Sequence, residues 1–220
     1  MSKDNLTERL SRLDTCAVSD ALDRLGMPGV VLGLRPMTVI RRVAGRVITS
    51  ELGPVDGRVS TRHLGTAAID AATPGDVIVM AHKGRLDAAG WGGLLSLGAV
   101  KRGVAGVIVD GAARDIDESR EYDLPVYARA AVPLTARGRV IEVGWNEKVQ
   151  VGTVDVAPGD LVLADSSGVL FVPADKAQEV IGVAEEIAAR EQAMAQAVRE
   201  GKPMAQVMGA SYENLASKQR

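Results

Sequence analysis

One stretch of the sequence consists of a glycine-rich loop, a long apolar segment and a charged turn, in that order. The loop is Ala89-Gly90-Trp91-Gly92-Gly93-Leu94-Leu95. Residues 96–103 are predicted to form a helix, and residues 104–110 are predicted to form a buried strand. The turn that follows is Gly111-Ala112-Ala113-Arg114-Asp115-Ile116-Asp117-Glu118. A glycine loop that opens a helix leaves backbone N–H groups unpaired, and the helix dipole favours an anion there. Ligands of α/β sheets collect at the carboxyl ends of strands. The stretch therefore predicts an α/β fold with a site at this loop and turn.

Arg114 and Asp115 follow the buried strand and have two interpretations. At a strand-to-helix turn both side chains can reach one pocket, which permits a functional site. The sequence Asp115-Ile116-Asp117-Glu118 is also typical of a capping box, in which Asp115 caps a helix and Glu118 folds back onto it. Spacing alone favours the cap.

The remaining chain alternates predicted helices and strands. Apolar residues at helical spacing predict two short helices within 6–25, and β-branched or apolar runs predict the strands. A narrow apolar stripe on the last helix fits packing against a sheet edge or another subunit, and the segment 201–220 is expected to be a mobile tail or a short helix. The predicted strands cover 39–51, 77–80, 124–128 and several segments of 140–171, and the other helices cover 63–72 and 175–199.

Two turns of similar sequence precede apolar strands. They are Thr73-Pro74-Gly75-Asp76 and Ala157-Pro158-Gly159-Asp160. Proline and glycine suit the two central positions of a β-turn. The match predicts two related edges of one sheet system, and the lack of a fixed repeat period argues against a solenoid.

Composition excludes several classes of protein. The 220 residues carry a net charge of −2 and only 3% aromatic residues, so there is neither a basic surface nor a stacking platform for nucleic acid. No apolar run approaches the roughly 20 residues of a membrane helix, and Met1–Leu10 is polar, unlike a signal peptide. We expect one soluble cytoplasmic domain without a membrane partner.

The sequence also limits the kind of metal site. Cys16 is the single cysteine, which excludes an internal disulfide and a cysteine cluster. His63 and His82 are the only histidines, and neither lies at helical spacing from another ligand. Ligands of a metal would therefore be carboxylate, carbonyl and water oxygens, which suit Mg²⁺ or Mn²⁺. The glycine spacing matches neither a P-loop nor a dinucleotide-binding fingerprint.

Three motifs together resemble a known family. The string Trp91-Gly92-Gly93-Leu94-Leu95, residues 102–111 and the pair Arg114-Asp115 are similar to the family named for the regulator of ribonuclease activity A, and the resemblance extends over about 16–173. That family includes 4-hydroxy-4-methyl-2-oxoglutarate aldolases and oxaloacetate decarboxylases. The resemblance implies a swivelling β/β/α domain, with a central β-sandwich or barrel-like core flanked by helices.

The resemblance also implies an assembly and a division of the chain. The expected assembly is a homotrimer or hexamer with sites near subunit boundaries. We expect a single catalytic domain at 1–173, followed at 174–220 by a helix and tail that pack on the domain or on a neighbouring subunit.

The resemblance assigns roles to individual residues. Backbone groups of the glycine loop would bind a 2-oxo acid substrate, Arg114 would contact its keto or enolate oxygen, and Asp115 would hold Mg²⁺ or Mn²⁺ with waters. Breaking a C–C bond β to a ketone leaves an enolate, which the cation and Arg114 would stabilise. The implied activity is a divalent-metal-dependent lyase, and this favours the site over the cap. The loop residues concerned are Gly92, Gly93, Leu94 and Leu95.

The sequence departs from one branch of the family at Gly93. Aldolases of this type often carry Asp or Glu at this position, where the acid would serve the base chemistry of retro-aldol cleavage. Glu118 has two interpretations, as a catalytic group that orders metal-bound water or as an exposed glutamate at a helix start. Since oxaloacetate decarboxylation needs only the electron sink, we expect it to be at least as strong as cleavage of 4-hydroxy-4-methyl-2-oxoglutarate.

A different class of function stays open. The family's namesake is a protein-binding regulator that inhibits a ribonuclease without chemistry, and its members can keep similar glycine and Arg-Asp features. A menaquinone-precursor methyltransferase finds no support, because no cofactor-binding glycine fingerprint follows the first strand.

Overall fold

The computed structural model describes residues 3–209. Its eleven strands, in chain order, are β1 (Val30–Val31), β2 (Arg35–Pro36), β3 (Val43–Pro54), β4 (Val77–Ala89), β5 (Gly106–Ala113), β6 (Val126–Ala131), β7 (Val140–Trp145), β8 (Val149–Val151), β9 (Val154–Val156), β10 (Leu161–Ala164) and β11 (Val169–Val172). Its helices are α1 (Lys3–Ser11), α2 (Thr15–Arg24), α3 (Thr66–Ala71), α4 (Gly93–Lys101), α5 (Ile116–Glu121), α6 (Ala177–Arg199) and α7 (Met204–Val207).

Four parallel strands form the part of the sheet that carries the predicted site. β3, β4, β5 and β6 pair in parallel, and α3, α4 and α5 are the successive crossovers between them. Every residue of β5 is buried, as expected for a parallel strand covered on both faces. Because the strands are parallel, the glycine loop after β4 and the Arg114-Asp115 turn after β5 lie at the same edge of the sheet.

The sheet is curved so that its two end strands lie near each other. Its strand order is β1-β11-β10-β3-β4-β5-β6-β2, with β7 paired to β3, so β1 and β2 stand at opposite ends. Only Leu32-Gly33-Leu34 connects these two strands, a span of about 14 Å at most. Arg129 of β6 also donates from Nη1 to the Leu32 carbonyl at 3.1 Å. The two ends of the sheet therefore lie close together, although β1 and β2 do not pair within residues 3–209, and this curvature is compatible with the barrel-like core expected from the resemblance.

Three hydrophobic clusters surround this sheet. One lies under α3 and α4 and includes Trp91 and Leu95, and a second lies between the sheet and the β8–β9 hairpin. The third packs α1, α2 and the first half of α6 against β10 and β11, with Leu10, Val180 and Ile181 fully buried. The α/β class with flanking helices is confirmed. The separation of the chain at residue 173 stays a prediction.

The two Pro-Gly-Asp turns lie on either side of β3. Asp76 Oδ2 accepts from the Thr73 N–H at 2.8 Å, and Asp160 Oδ2 accepts from the Ala157 N–H at 2.8 Å. The strands that follow, β4 and β10, both pair directly with β3. The predicted pair of related edges in one sheet is confirmed.

Several predicted boundaries were wrong. The helix expected at 96–103 begins at Gly93, and the strand expected at 77–80 continues to Ala89, because its charged second half still pairs with β5 through an irregular register. The strand expected at 124–128 begins only after Pro125, which has no N–H for the ladder. The helix expected at 63–72 is shortened to α3, since Gly65 takes a left-handed φ of 76°.

The two short helices predicted within 6–25 are present as α1 and α2, and the final long helix is present as α6. The predicted tail contains the short helix α7, and its last part, residues 210–220, lies outside the described residues. Within 3–209, no helix has both the length and the apolar character needed to cross a membrane.

Candidate active site

The glycine loop and the Arg-Asp turn are joined by backbone hydrogen bonds. The Gly90 N–H donates to the Ala112 carbonyl at 2.8 Å, and the Arg114 N–H donates to the Trp91 carbonyl at 3.0 Å. These contacts extend the pairing of β4 and β5 beyond the regular sheet. They fix the position of one segment against the other, so both predicted halves of the site are brought together.

Asp115 does not cap the helix that follows it. Its backbone takes the left-handed conformation with φ 53° and ψ 45°, and its side chain makes no capping hydrogen bond to α5. Oδ2 instead accepts from the Gly93 N–H at 3.0 Å and from Arg114 Nε at 3.2 Å. Capping side chains normally belong to extended residues. The capping box favoured by spacing is therefore wrong, and the Asp115 carboxylate faces the glycine loop.

Glu118 lies on the other side of the same loop. A Cβ atom built on Gly93 would overlap the Glu118 carboxylate, and one built on Gly92 would lie 2.8 Å from Asp115 Oδ2. Neither glycine has the positive φ that strains other residues. Because Gly92 and Gly93 have no side chains, two carboxylates can lie directly against the start of α4.

These residues line one cleft together with two segments that the sequence did not single out. The cleft is formed by the glycine loop, by Arg114 and Asp115, and by parts of the segments 63–64 and 135–137. The missed residues are His63, Leu64, Thr135, Ala136 and Arg137. The basic run Arg137-Gly138-Arg139 was the only local signal for the second segment, and a charge run by itself usually indicates a solvated surface.

A buried carboxylate fixes the first of these segments. The Glu142 side chain is 1% exposed, and its Oε2 accepts from Ser50 Oγ and from the Gly65 N–H, each at 2.8 Å. Its Oε1 lies 2.7 Å from Arg62 Nε, so that arginine is committed to an ion pair. His63 therefore enters the cleft between two anchored neighbours, Arg62 and Gly65.

Two buried side chains support the loop from below. Trp91 Nε1 donates to Ser96 Oγ at 2.8 Å, and Ser96 Oγ in turn lies 2.7 Å from Ser119 Oγ, which links α4 to α5. The His82 ring packs against both Gly90 and Gly111, and its Nε2 bonds to the Ala88 carbonyl at 2.8 Å. Burial lowers the pKa of His82, which keeps the ring neutral.

The donor set fits a hard divalent cation with few protein ligands. In the described part of the chain, no three His, Cys, Asp or Glu side chains come close enough together to form a metal cage. Asp115 and Glu118 both lie against Gly93, and Oδ1 of Asp115 has no hydrogen-bond partner among residues 3–209. Mg²⁺ is commonly held by one or two carboxylates while keeping several waters. These two carboxylates match that pattern.

Several known proteins are similar to this chain in sequence or fold. Protein DlpA from Legionella pneumophila is 29% identical over 202 residues, and the chain spans about a third of its length. A Halalkalibacterium halodurans protein, named provisionally as a 4-hydroxy-4-methyl-2-oxoglutarate aldolase, is 30% identical over 84% of this chain and 85% of its own. The solved structure of Streptomyces coelicolor RraAS2, described as an unusual member of the RNase ES inhibitor RraA protein family, superposes with a TM-score of 0.78 at 27% identity, covering 86% of this chain and 94% of that one.

The family model itself accounts for most of the folded chain. The model described as "RraA-like: Aldolase/RraA" matches residues 15–171, which include the glycine loop, the Arg-Asp turn and both Pro-Gly-Asp turns. The chain therefore belongs to the RraA-like family of aldolases and RraA proteins.

Proposed function

We propose that the protein is a divalent-metal-dependent carbon–carbon lyase acting on 2-oxo acids. The observation that carries the proposal is the hydrogen bond from the Gly93 N–H to Asp115 Oδ2. It places a carboxylate, a guanidinium and the open N-terminus of α4 around one cleft. The reactions proposed are decarboxylation of oxaloacetate and retro-aldol cleavage of 4-hydroxy-4-methyl-2-oxoglutarate, both of which release pyruvate.

The start of α4 is suited to bind the substrate's 2-oxo carboxylate. The N–H groups of Leu94 and Leu95 belong to the first turn, and neither has a backbone acceptor among residues 3–209. The Gly93 N–H already donates to Asp115, so we assign it to holding the loop in place and not to binding the substrate. The helix dipole adds to the attraction for an anion. We assign carboxylate binding to Leu94 and Leu95.

Asp115 and Glu118 would hold the cation with water, and Arg114 would face the keto oxygen. When bound, a divalent cation supplies positive charge to the oxygen on which negative charge develops. Arg114 is only partly exposed, and its Nε is fixed on Asp115 Oδ2, which leaves the other guanidinium nitrogens available. A preorganised cation of this kind stabilises an enolate without reorganising during the reaction.

Glu118 is the proposed proton carrier of the site. Decarboxylation ends with a proton added to the enolate carbon, and retro-aldol cleavage begins with removal of a hydroxyl proton. The Glu118 carboxylate lies against Gly93 within the site and is exposed to solvent, so water can reach it there. Because the same group must also help to hold the cation, we propose decarboxylation as the stronger activity.

The test is pyruvate formation from oxaloacetate with Mg²⁺ or Mn²⁺, in the wild type and in Asp115→Ala. Free divalent cations also decarboxylate oxaloacetate, so the rate with metal alone is subtracted from each measurement. We expect the protein-dependent rate to disappear in Asp115→Ala while circular dichroism stays unchanged. Equal rates in the two proteins would contradict the proposal.

A second candidate is a protein-binding regulator of a ribonuclease. The observation that favours it is the structural similarity to Streptomyces coelicolor RraAS2. This candidate predicts inhibition of a ribonuclease of the RNase E class by the wild type and by Asp115→Ala alike. Ribonuclease inhibition without any protein-dependent turnover would favour the regulator over the lyase.

A further inference from the structure

The loop between β6 and β7 is attached to both segments that lead into the candidate site. The Val132 N–H donates to the Ala113 carbonyl at 2.9 Å, one residue before Arg114. The Ala89 N–H donates to the Leu134 carbonyl at 3.2 Å, at the start of the glycine loop. Both hydrogen bonds hold the loop at the mouth of the cleft, so its side chains have a defined place relative to Arg114 and Asp115.

The loop is also ordered within itself. The Val140 N–H donates to the Ala136 carbonyl at 2.9 Å, and the Arg137 N–H lies 3.2 Å from Thr135 Oγ1. Arg139 Nη1 donates to the Thr135 carbonyl at 3.1 Å. These contacts close a short turn that presents residues 135–137 to the cleft.

Arg137 differs from the other arginines near the cleft. Arg62 is paired with Glu142, Arg114 with Asp115, and Arg139 with its own loop. The Arg137 guanidinium has no hydrogen bond or ion pair to any residue of the described segment 3–209. A positive charge that lines an anion-binding cleft and has no internal partner is available to a ligand.

The charges in the cleft show which ligand group this cation suits. Asp115 and Glu118 stand at the α4 end, where the 2-oxo group and a cation are proposed to lie. A second carboxylate on the substrate would be repelled by these two acids and needs a cation of its own. We infer that Arg137 binds the distal carboxylate of a dicarboxylic 2-oxo acid, which makes it a specificity-determining residue. This inference rests on the proposed function.

The inferred contact affects the two reactions differently. In decarboxylation the C3–C4 bond breaks, its electron pair forms the enolate, and the distal carboxylate leaves as neutral CO₂. An ion pair with Arg137 is then stronger in the ground state than in the transition state, so it lowers KM without raising kcat. In retro-aldol cleavage the distal carboxylate keeps its charge, and the ion pair persists throughout.

The first test measures binding without turnover. Calorimetry with Mg²⁺ present compares 2-oxoglutarate with 2-oxobutyrate, which lacks the second carboxylate. We expect the wild type to prefer the dicarboxylate and Arg137→Ala to bind it about tenfold more weakly, with 2-oxobutyrate unaffected. Arg137→Lys should recover part of the loss. Lys148→Ala removes a positive charge from an exposed ion pair outside the cleft, and it should keep the preference.

The second test separates this inference from the proposed function. In oxaloacetate decarboxylation, Arg137→Ala should raise KM about tenfold while kcat is unchanged or higher. Equal weakening of both ligands, no weakening of either, or no dicarboxylate preference in the wild type would overturn the inference. A wild type that binds with the expected preference but releases no pyruvate would instead contradict the lyase and leave the assigned carboxylate contact supported.

Discussion

The Glu118 carboxylate occupies the space in which a side chain at Gly93 would begin. The two positions are therefore alternatives for one carboxylate, supplied either from the start of α4 or from the first turn of α5. An acid at the position of Gly93 would fill this space from the other side. In this chain, Glu118 can approach the loop because Gly93 has no side chain.

This relationship predicts a carboxylate exchange. Glu118→Ala should lower kcat about a hundredfold, since it removes the proposed proton carrier. Gly93→Asp alone should displace the exposed Glu118 carboxylate from the loop, with little effect on the melting temperature, because the end of a flexible side chain can move aside. The double variant Gly93→Asp/Glu118→Ala should favour retro-aldol cleavage over decarboxylation, measured as pyruvate released from each substrate. Glu121→Ala, an exposed change on the same helix, is the control.

This prediction is contradicted if the double variant releases pyruvate no faster than Glu118→Ala. The prediction also fails if Gly93→Asp releases pyruvate from both substrates at the wild-type rates, because the new carboxylate would then have no effect on the site.

Arg114 should matter for rate much more than for stability. Arg114→Ala is expected to lower kcat by about 10²–10³, the usual effect of removing one preorganised donor to a developing oxyanion. Its ion pair with Asp115 is partly exposed, so the free energy of unfolding should change by less than about 1 kcal/mol. Steady-state kinetics and urea denaturation of the same preparation give both numbers. A loss of activity that follows a loss of stability would contradict the assignment.

His82 should make stability depend on pH. Burial lowers its folded-state pKa, and Nδ1 has no hydrogen-bond partner within residues 3–209 to receive a proton. The unfolded chain therefore binds a proton that the folded chain resists. This contribution to stability is fully present above the unfolded pKa of about 6.5 and is lost as the pH falls below it toward the folded pKa.

The measurement is urea denaturation between about pH 8 and pH 5.5 for the wild type and His82→Gln. The variant is expected to be less stable at pH 8, because the ring packs against Gly90 and Gly111. Its free energy of unfolding should decrease less on acidification than that of the wild type. Parallel pH profiles would show that His82 does not titrate on unfolding.

The buried pair Asp110–Arg129 should stabilise the contact between the sheet and the β8–β9 hairpin. The Asp110 side chain is 3% exposed and accepts from Arg129 at 2.6 Å and from the Gly152 N–H at 3.0 Å. Arg129→Ala leaves this carboxylate buried without its cation, which should cost about 3–5 kcal/mol. The exposed pair Lys148–Asp155 is the control, and Lys148→Ala should cost less than about 1 kcal/mol. Similar losses in the two variants would contradict a special role for the buried pair.

The local elements were largely predictable because they depend on neighbouring residues. The apolar run of β5, the glycine stop after α4 and the two Pro-Gly-Asp turns all carry their physical cause within a few positions. The role of Asp115 was not predictable in this way. Its spacing to Glu118 is that of a capping box, and only its left-handed backbone turns the carboxylate to Gly93 instead.

The sequence by itself determined the α/β class, the family and the two segments that form the core of the site. Only the tertiary structure decided that β1 and β2 lie at the two ends of one curved sheet, that Glu118 occupies the space of a side chain at Gly93, and that the loop carrying Arg137 joins the cleft. The physical reason is distance along the chain. Periodicity and turn chemistry act over a few residues, whereas these contacts depend on how parallel strands place distant loops at one edge of a curved sheet.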